Sequence, residues 1–266
     1  VIYVMELLKT KISNQSELEK LTDINILGQI CRNSSDDYVV VQKHDVTPIS
    51  EMFRSIRNNI NFIFKQEYNK TILVTSTTSG EGKTFFSLNL ALSCAILDKK
   101  VLLIGADIRN PRLKTYLNLD GRKGLTDYLI SSSDNLEEYI NPSGRNDNLD
   151  VLISGTIPPN PNELLTSSRL SKLLNELKSK YDIIILDTAP VGLVSDTYLI
   201  EKYADLILYV VRENVTLKSS VEFINKQKDD GSLHNMYLIL NDTNLNNQYG
   251  YRYGYGKGYG YGKKNK

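Results

Sequence analysis

Cysteine and histidine are scarce in this chain of 266 residues, with two of each. Cys31 and Cys94 stand far apart and form no C-x-x-C pair, which excludes a disulfide scaffold and a cysteine-based zinc site. Both read as small buried hydrophobes. His44 and His234 alone cannot build a histidine-rich metal centre. No apolar run reaches roughly 18 residues, so nothing reads as a membrane-spanning helix. No basic n-region followed by an apolar h-region marks a signal peptide. An initiator Met is missing as well. The chain opens Val1-Ile-Tyr-Val-Met5, which suggests a piece of a longer protein whose upstream part is membrane-bound.

An excess of charge of one sign is also lacking, since 32 Lys and Arg face 31 Asp and Glu for a net charge of +1. That balance hides an asymmetry. Residues 243–266 carry Arg252, Lys257, Lys263, Lys264 and Lys266 with no acidic residue, a local charge of +5. The same tail holds 6 of the 17 Tyr and 6 of the 16 Gly. Hydrophobic residues make up 41% of the chain, enough to bury a sizeable core. The length allows one large α/β domain or two small ones.

Residues 1–31 read as helix, link, helix and a short strand, with Ser16 and Glu19 as a capping box ahead of Leu18, Leu21 and Ile24. Residues 32–44 are polar and read as a surface loop. Apolar residues at 49, 52, 53, 56, 60, 63 and 64 have a helical period, with Pro48 tolerated at the start. Short apolar runs then follow at 72–74, 101–104, 151–153, 183–186, 206–211 and 237–240. They are continuous rather than alternating, as in a parallel sheet covered on both faces. Helical stretches at 85–97, 164–178, 196–203 and 217–228 lie between them. The pattern predicts an α/β fold with a doubly wound, mainly parallel sheet and helices on both faces. Beyond residue 242 the Tyr-Gly repeats offer no apolar face, which predicts a disordered C-terminal tail.

Thr75-Ser-Thr-Thr-Ser-Gly-Glu-Gly-Lys-Thr84 follows a predicted strand and opens a predicted helix, the context of a P-loop. Gly80 and Gly82 let backbone N–H groups turn toward phosphates. Lys83 places a charge on the β/γ oxygens, and Thr84 offers a hydroxyl to Mg²⁺. The P-loop pattern asks for Gly at position 77, where this chain has Thr77. Asp187 ends the run 183–186, the Walker B arrangement that holds Mg²⁺ through water. Asp107 lies just beyond the run 101–104. Three such elements at successive strand ends place a nucleotide site on one edge of the sheet.

These residues resemble the bacterial tyrosine kinases that control capsule and exopolysaccharide export, P-loop proteins unrelated to the eukaryotic type. The similarity runs over nearly the whole chain. Ser79-Gly-Glu-Gly-Lys-Thr84 looks like the family's Walker A motif, Leu102-Leu-Ile-Gly-Ala-Asp-Ile-Arg109 like its Walker A′, and Ile184-Ile-Leu-Asp-Thr-Ala-Pro190 like its Walker B. Gly155-Thr-Ile-Pro-Pro-Asn-Pro-Asn-Glu-Leu-Leu165 is similar to a family loop-helix segment. Glu51-x-x-Arg54-x-x-Arg57 fits the motif that packs subunits into a ring, although the same three residues on a helix also read as a solvated charge stripe. The family's first Walker A′ Asp is Gly105 here, which leaves Asp107 to act alone.

The resemblance implies an ATP- and Mg²⁺-dependent tyrosine autokinase. Lys83, Asp107 and Asp187 would be catalytic. Ser79, Gly80, Glu81, Gly82, Lys83, Thr84 and Phe85 would bind nucleotide, with Asn241 at the adenine edge and Arg212 stacked along the base. Thr84, Asp107 and Asp187 would hold the metal. Arg109 and Arg112 would steer the acceptor, or form a surface pair at a helix start. Tyr249, Tyr251, Tyr253, Tyr255, Tyr259 and Tyr261 would accept phosphate in trans from a neighbouring subunit, and each phosphate would erode the tail's charge.

The resemblance divides the chain into a juxtamembrane helical segment and linker packed on the kinase domain (1–44), the P-loop kinase domain (45–242) and the autophosphorylation tail (243–266). It implies a place on the cytoplasmic face of the bacterial inner membrane, as the soluble domain of a membrane protein. It also implies partners in a second copy of the chain, the polysaccharide export machinery and a cognate tyrosine phosphatase, with no nucleic acid expected. Two alternatives are a ParA/MinD-like positioning ATPase and a nucleotide-gated scaffold with a low-complexity binding tail. The tyrosine tail argues against the first.

Overall fold

The computed structural model describes residues 10–65, 67 and 69–244. The helix expected before residue 10 and all six tail tyrosines lie outside the described residues. The first short helix, α1 (Gln15–Glu19), starts at Asn14, whose side chain accepts from the Glu17 amide at 2.9 Å. The expected Ser16–Glu19 capping box does not form. Asn14 takes the cap, Glu17 accepts from the Ser13 amide at 2.7 Å, and Ser16 is already inside the helix.

Strand β1 (Ile26–Cys31) leads through a long loop to α2 (Pro48–Ile63), β2 (Lys70–Ser76), α3 (Lys83–Ala95) and β3 (Val101–Gly105). Two short helices follow, α4 (Leu113–Tyr116) and α5 (Leu125–Ile130), then β4 (Asn141–Pro142) and β5 (Leu149–Leu152). The remainder runs α6 (Pro161–Thr166), α7 (Ser168–Lys180), β6 (Ile183–Asp187), α8 (Asp196–Ile200), β7 (Leu206–Arg212), α9 (Lys218–Asp229) and β8 (Met236–Thr243). One eight-stranded sheet results, in the order β1-β8-β7-β2-β6-β3-β5-β4. Every neighbouring pair is parallel except β4 with β5.

The expected apolar runs are the buried centres of these strands, and their side chains divide between two cores. In β6, Ile184 and Leu186 face one core while Ile183 and Ile185 face the other. The first core also holds Leu170, Leu173, Leu174 and Leu177 of α7 and Val221 and Ile224 of α9. The second holds Phe53, Ile56 and Ile60 of α2 and Phe86, Leu90 and Ala91 of α3. A strand buried on both faces has no polar side to alternate with, which is why these runs are continuous.

Three features depart from the expected outline. The helix expected over 164–178 is two helices, broken where the Ser167 hydroxyl caps the Leu170 amide at 3.3 Å. The helix over 196–203 finishes as a 3₁₀ turn at Glu201–Tyr203. Helices α4 and α5 are too short to display a period. Strand β1, from the segment assigned to a juxtamembrane element, pairs with β8 as the edge strand of the same sheet.

Candidate active site

The parallel strands end on one edge, where the loops after β1, β2 and β3 meet the last residues of β7 and β8. The loop from β2 to α3 turns at Gly80 (φ 85°) and Gly82 (φ 97°), backbone angles that L side chains rarely adopt. Gly82 is the cap of α3 with no side chain covering the amides, and a Cβ there would collide with Asn241. The first helical turn therefore presents bare N–H groups, the arrangement that attracts phosphate.

Thr77 occupies the position where the motif favours glycine, and its φ is not positive. Its hydroxyl bonds the buried Tyr209 hydroxyl at 2.9 Å, and its carbonyl accepts from the Gly192 amide at 3.1 Å. The loop makes its turn without a glycine at 77 because the strand continues in ordinary geometry up to it.

The Glu81 side chain turns away from the expected nucleotide site. It is fully buried, accepting from the Thr78 amide at 2.7 Å and from the Thr216 hydroxyl. Its carbonyl accepts from Asn241 Nδ2 at 2.9 Å. The carboxylate braces the loop from within, leaving only the backbone to a ligand. Asn241 is thus spending its amide on the loop. Arg212 likewise donates to the Gly80 carbonyl at 2.6 Å and to Asp242 at 3.0 Å. Asp242 also accepts from Arg32 at 2.9 Å. These in-plane bonds anchor the Arg212 guanidinium at the cavity wall, in addition to the base-stacking role expected of it. Sequence reading missed Asp242 and Arg32, because only the pairing of β1 with β8 brings them together.

Lys83 is 7% exposed. Burial pushes its pKa down, and the nearby Asp187, Asp107 and Glu81 charges oppose that shift. Asp187, at the end of β6, is 2% exposed, and burial pushes its carboxyl up to about 6. The Thr84 hydroxyl donates to it, as does Ser87 Oγ at 3.3 Å. Strand β3 closes over the same residue, with the Ala106 and Asp107 amides donating to the Asp187 carbonyl at 2.8 and 2.9 Å. Burial raises the Asp107 carboxyl as well, although the Asn110 amide supports it at 3.0 Å. The structure therefore brings Lys83, Thr84, Asp107 and Asp187 together.

Among the described residues no cluster of three or more His, Cys, Asp or Glu side chains could hold a metal. The donors present are hard oxygens, the Thr84 hydroxyl and the Asp187 and Asp107 carboxylates. They fit Mg²⁺ when nucleotide phosphates supply further ligands.

Position 105 is not an open space awaiting a carboxylate. A Cβ there would lie 2.8 Å from Ser154 Oγ and 3.1 Å from the Ser154 amide, and that hydroxyl donates to the Gly105 carbonyl at 2.7 Å. Arg109 is not available to an acceptor either. It forms a two-pronged ion pair with the buried Asp196, at 2.8 and 2.9 Å, and bonds Asn162 at 3.0 Å. Arg112 lines the cavity.

The expected assembly row also changes. Glu51 pairs with Arg54 on α2, but Arg57 is 8% exposed and donates to the Ser93 carbonyl of its own chain at 2.8 Å. The helical stripe brings it round to α3 because 57 lies one position from the apolar Ile56. Arg57 is therefore corrected from a surface contact to an internal one.

A cavity of about 460 Å³ runs along the loop. Its floor is Ser79, Gly80, Gly82, Lys83, Thr84 and Phe85. Asp107 and Arg112, beyond β3, and Arg212 and Asn241, of β7 and β8 on the opposite side of β2, line it as well.

Residues 69–237 match the family model described as an AAA domain. The chain is 40% identical over 169 residues to the tyrosine-protein kinase YwqD of Bacillus subtilis, covering 64% of this chain and 70% of that protein. It is 33% identical over 225 residues to the tyrosine-protein kinase ptk of Acinetobacter johnsonii, covering 85% of this chain but only 29% of that protein. The kinase domain of the Escherichia coli tyrosine kinase ETK superposes with a TM-score of 0.78 at 27% identity, covering 91% of this chain and 99% of that one.

Proposed function

The chain belongs to the bacterial tyrosine-protein kinases, and from that premise we propose that it transfers the γ-phosphoryl group of ATP to Tyr249, Tyr251, Tyr253, Tyr255, Tyr259 and Tyr261 of a neighbouring copy's tail. The observation that carries this reading is the convergence of Lys83, Thr84 and Asp107 in one cavity beside bare helix amides, with the buried Asp187 carboxyl bonded to Thr84.

In the reaction the acceptor's phenolic oxygen attacks the γ-phosphorus, the bond to the β-phosphate bridge oxygen breaks, and ADP leaves. Lys83 and the amides of residues 80–84 balance charge on the phosphoryl oxygens. Asp107 orients the phenol and takes its proton, and burial makes this carboxylate a stronger base than an exposed one. Mg²⁺, when bound, neutralises β- and γ-phosphate charge. Thr84 and Asp187 would hold it. Arg212 and Asn241 keep the loop's carbonyls turned away, so that its amides stay aimed at phosphate.

This reading extends to a ring of copies in contact through Glu51 and Arg54, and to control of capsular or exopolysaccharide synthesis and export. It includes a cognate phosphatase, and a place on the cytoplasmic face of the inner membrane. Among the described residues no helix is long and apolar enough to cross a membrane. Successive phosphates would reverse the tail's +5 and release it from the site.

Incubation with Mg-ATP followed by peptide mass spectrometry tests the core of the proposal. Phosphotyrosine within 249–261, absent from Lys83→Met, is the expected result. Phosphate release without phosphotyrosine would place the chain with positioning ATPases instead.

A further inference from the structure

The cavity has a wall that the nucleotide chemistry does not use. The loop after β1 crosses the mouth of the site and brings Tyr38 flat against Tyr116 of α4, with ring centroids 3.7 Å apart and planes 5° from parallel. Both rings line the cavity. The loop is clamped to the phosphate-loop helix by the fully buried Asn89. Asn89 Oδ1 accepts from the Val40 amide at 2.8 Å and the Val41 amide at 3.2 Å, while Nδ2 donates to the Tyr38 carbonyl at 2.8 Å. Nδ2 also donates to the Phe85 carbonyl of its own helix at 2.9 Å, so this one buried side chain fixes the loop to the helix.

The stack lies at the phosphoryl end. Tyr116 follows Asp107 and Arg112 along the chain leaving β3, and the charges of Asp187 and Arg112 both act on its phenol. Asn241 and Arg212 end β8 and β7, on the far side of β2 from β3. The carboxylates mark where the γ-phosphoryl group reacts, so the base of the nucleotide belongs at the Asn241 end. What arrives beside Asp107 is the acceptor. Tyr38 is 46% exposed, leaving its ring within reach of an incoming group.

We propose that the Tyr38–Tyr116 stack is the surface that positions the ring of the acceptor tyrosine. This rests on the tail-kinase reading above and adds where the acceptor docks. A third aromatic ring packs against the stacked pair, and the glycines flanking the tail tyrosines let the ring lie close. Tyr38 and Tyr116 are positioning residues in this scheme and exchange no proton or phosphate.

The test uses the full chain with Mg-ATP and a synthetic peptide of residues 247–262 as added acceptor. For Tyr38→Ala the KM for peptide rises roughly fivefold to tenfold, while the KM for ATP stays within about twofold. Tyr38→Phe keeps the ring and restores the wild-type KM for peptide. A shift in the KM for ATP instead would assign the wall to the base and overturn the proposal. An unchanged KM for peptide in Tyr38→Ala overturns it too, as does Tyr38→Phe behaving like Tyr38→Ala. A wild-type chain that modifies neither peptide nor tail defeats the parent reading, and the docking surface falls with it.

Discussion

Arg212 donates to the Gly80 carbonyl of the phosphate loop at 2.6 Å. A cation is thereby fixed to the carbonyl side of a loop whose amide side must meet phosphate. Asp242 holds the same guanidinium at 3.0 Å and Arg32 at 2.9 Å, which ties β1, β7 and β8 to the loop.

Asp242→Ala frees Arg212 to swing from the carbonyl toward the nucleotide, and the loop loses its brace. The expected outcome is a KM for ATP raised roughly fivefold, in the range of one charge-assisted hydrogen bond. The kcat should move less, because Asp242 contacts no reacting atom. Steady-state kinetics with varied ATP would show it, and equal losses in kcat and kcat/KM would refute the loop-bracing role.

Restoring the glycine of the P-loop pattern should harm this protein. Thr77→Gly removes the partner of the Tyr209 hydroxyl, which is fully buried and whose pKa burial raises. An orphaned buried hydroxyl costs about 1–3 kcal/mol, and added backbone freedom costs more. The Tm should fall by several degrees in thermal denaturation. Tyr209→Phe combined with Thr77→Gly should be less damaging than the sum of the single changes. A Thr77→Gly chain as stable as wild type would show that the bond contributes nothing.

Much of the site was legible locally. Gly80, Gly82, Lys83 and Thr84 are neighbours whose residue types alone describe a phosphate loop. Asp187 and Asp107 follow apolar runs that can only be strand centres. The illegible parts are contacts made by strand order. Arg32 and Asp242 are 210 positions apart and meet only because β1 lies beside β8. Tyr38 reaches Tyr116 only because its loop crosses over α3, held by Asn89. Arg57 misled for a different reason. Charge spacing along a helix gives an angular stripe but not its width, and the guanidinium reached a carbonyl of its own chain at the margin of the apolar face.

That placement separates Arg57 from Arg54. Arg57→Ala should act on folding, since it strips the Ser93 carbonyl of its donor and opens space beside Cys94. Its expected cost is about 1–3 kcal/mol, read as a lower Tm. Arg54→Ala, on a more exposed side chain, should leave the Tm nearly unchanged and weaken self-association. Sedimentation velocity beside thermal denaturation distinguishes the two. A Tm loss from Arg54→Ala with assembly intact would reverse the assignment.

Asp187 gives the sharpest pH prediction. Burial pushes its carboxyl from 3.8 up to about 6, so the folded chain keeps a proton that the unfolded chain has lost between those values. The contribution of this group to stability therefore falls as pH rises through that window. At neutral pH the ionised carboxylate costs about 3 kcal/mol, a figure that already includes the opposing attraction of Lys83. Asp187→Asn removes the charge and keeps the shape. In EDTA without nucleotide, the variant should melt higher than wild type at pH 8, with a smaller difference at pH 5. The gain should come with loss of kinase activity and of the Tm rise that Mg-ATP gives the wild type, because the Mg²⁺-bound state needs the carboxylate ionised. A variant that melts lower than wild type at pH 8 would mean that the Asp187 charge stabilises the empty site, through Lys83, more than its burial costs.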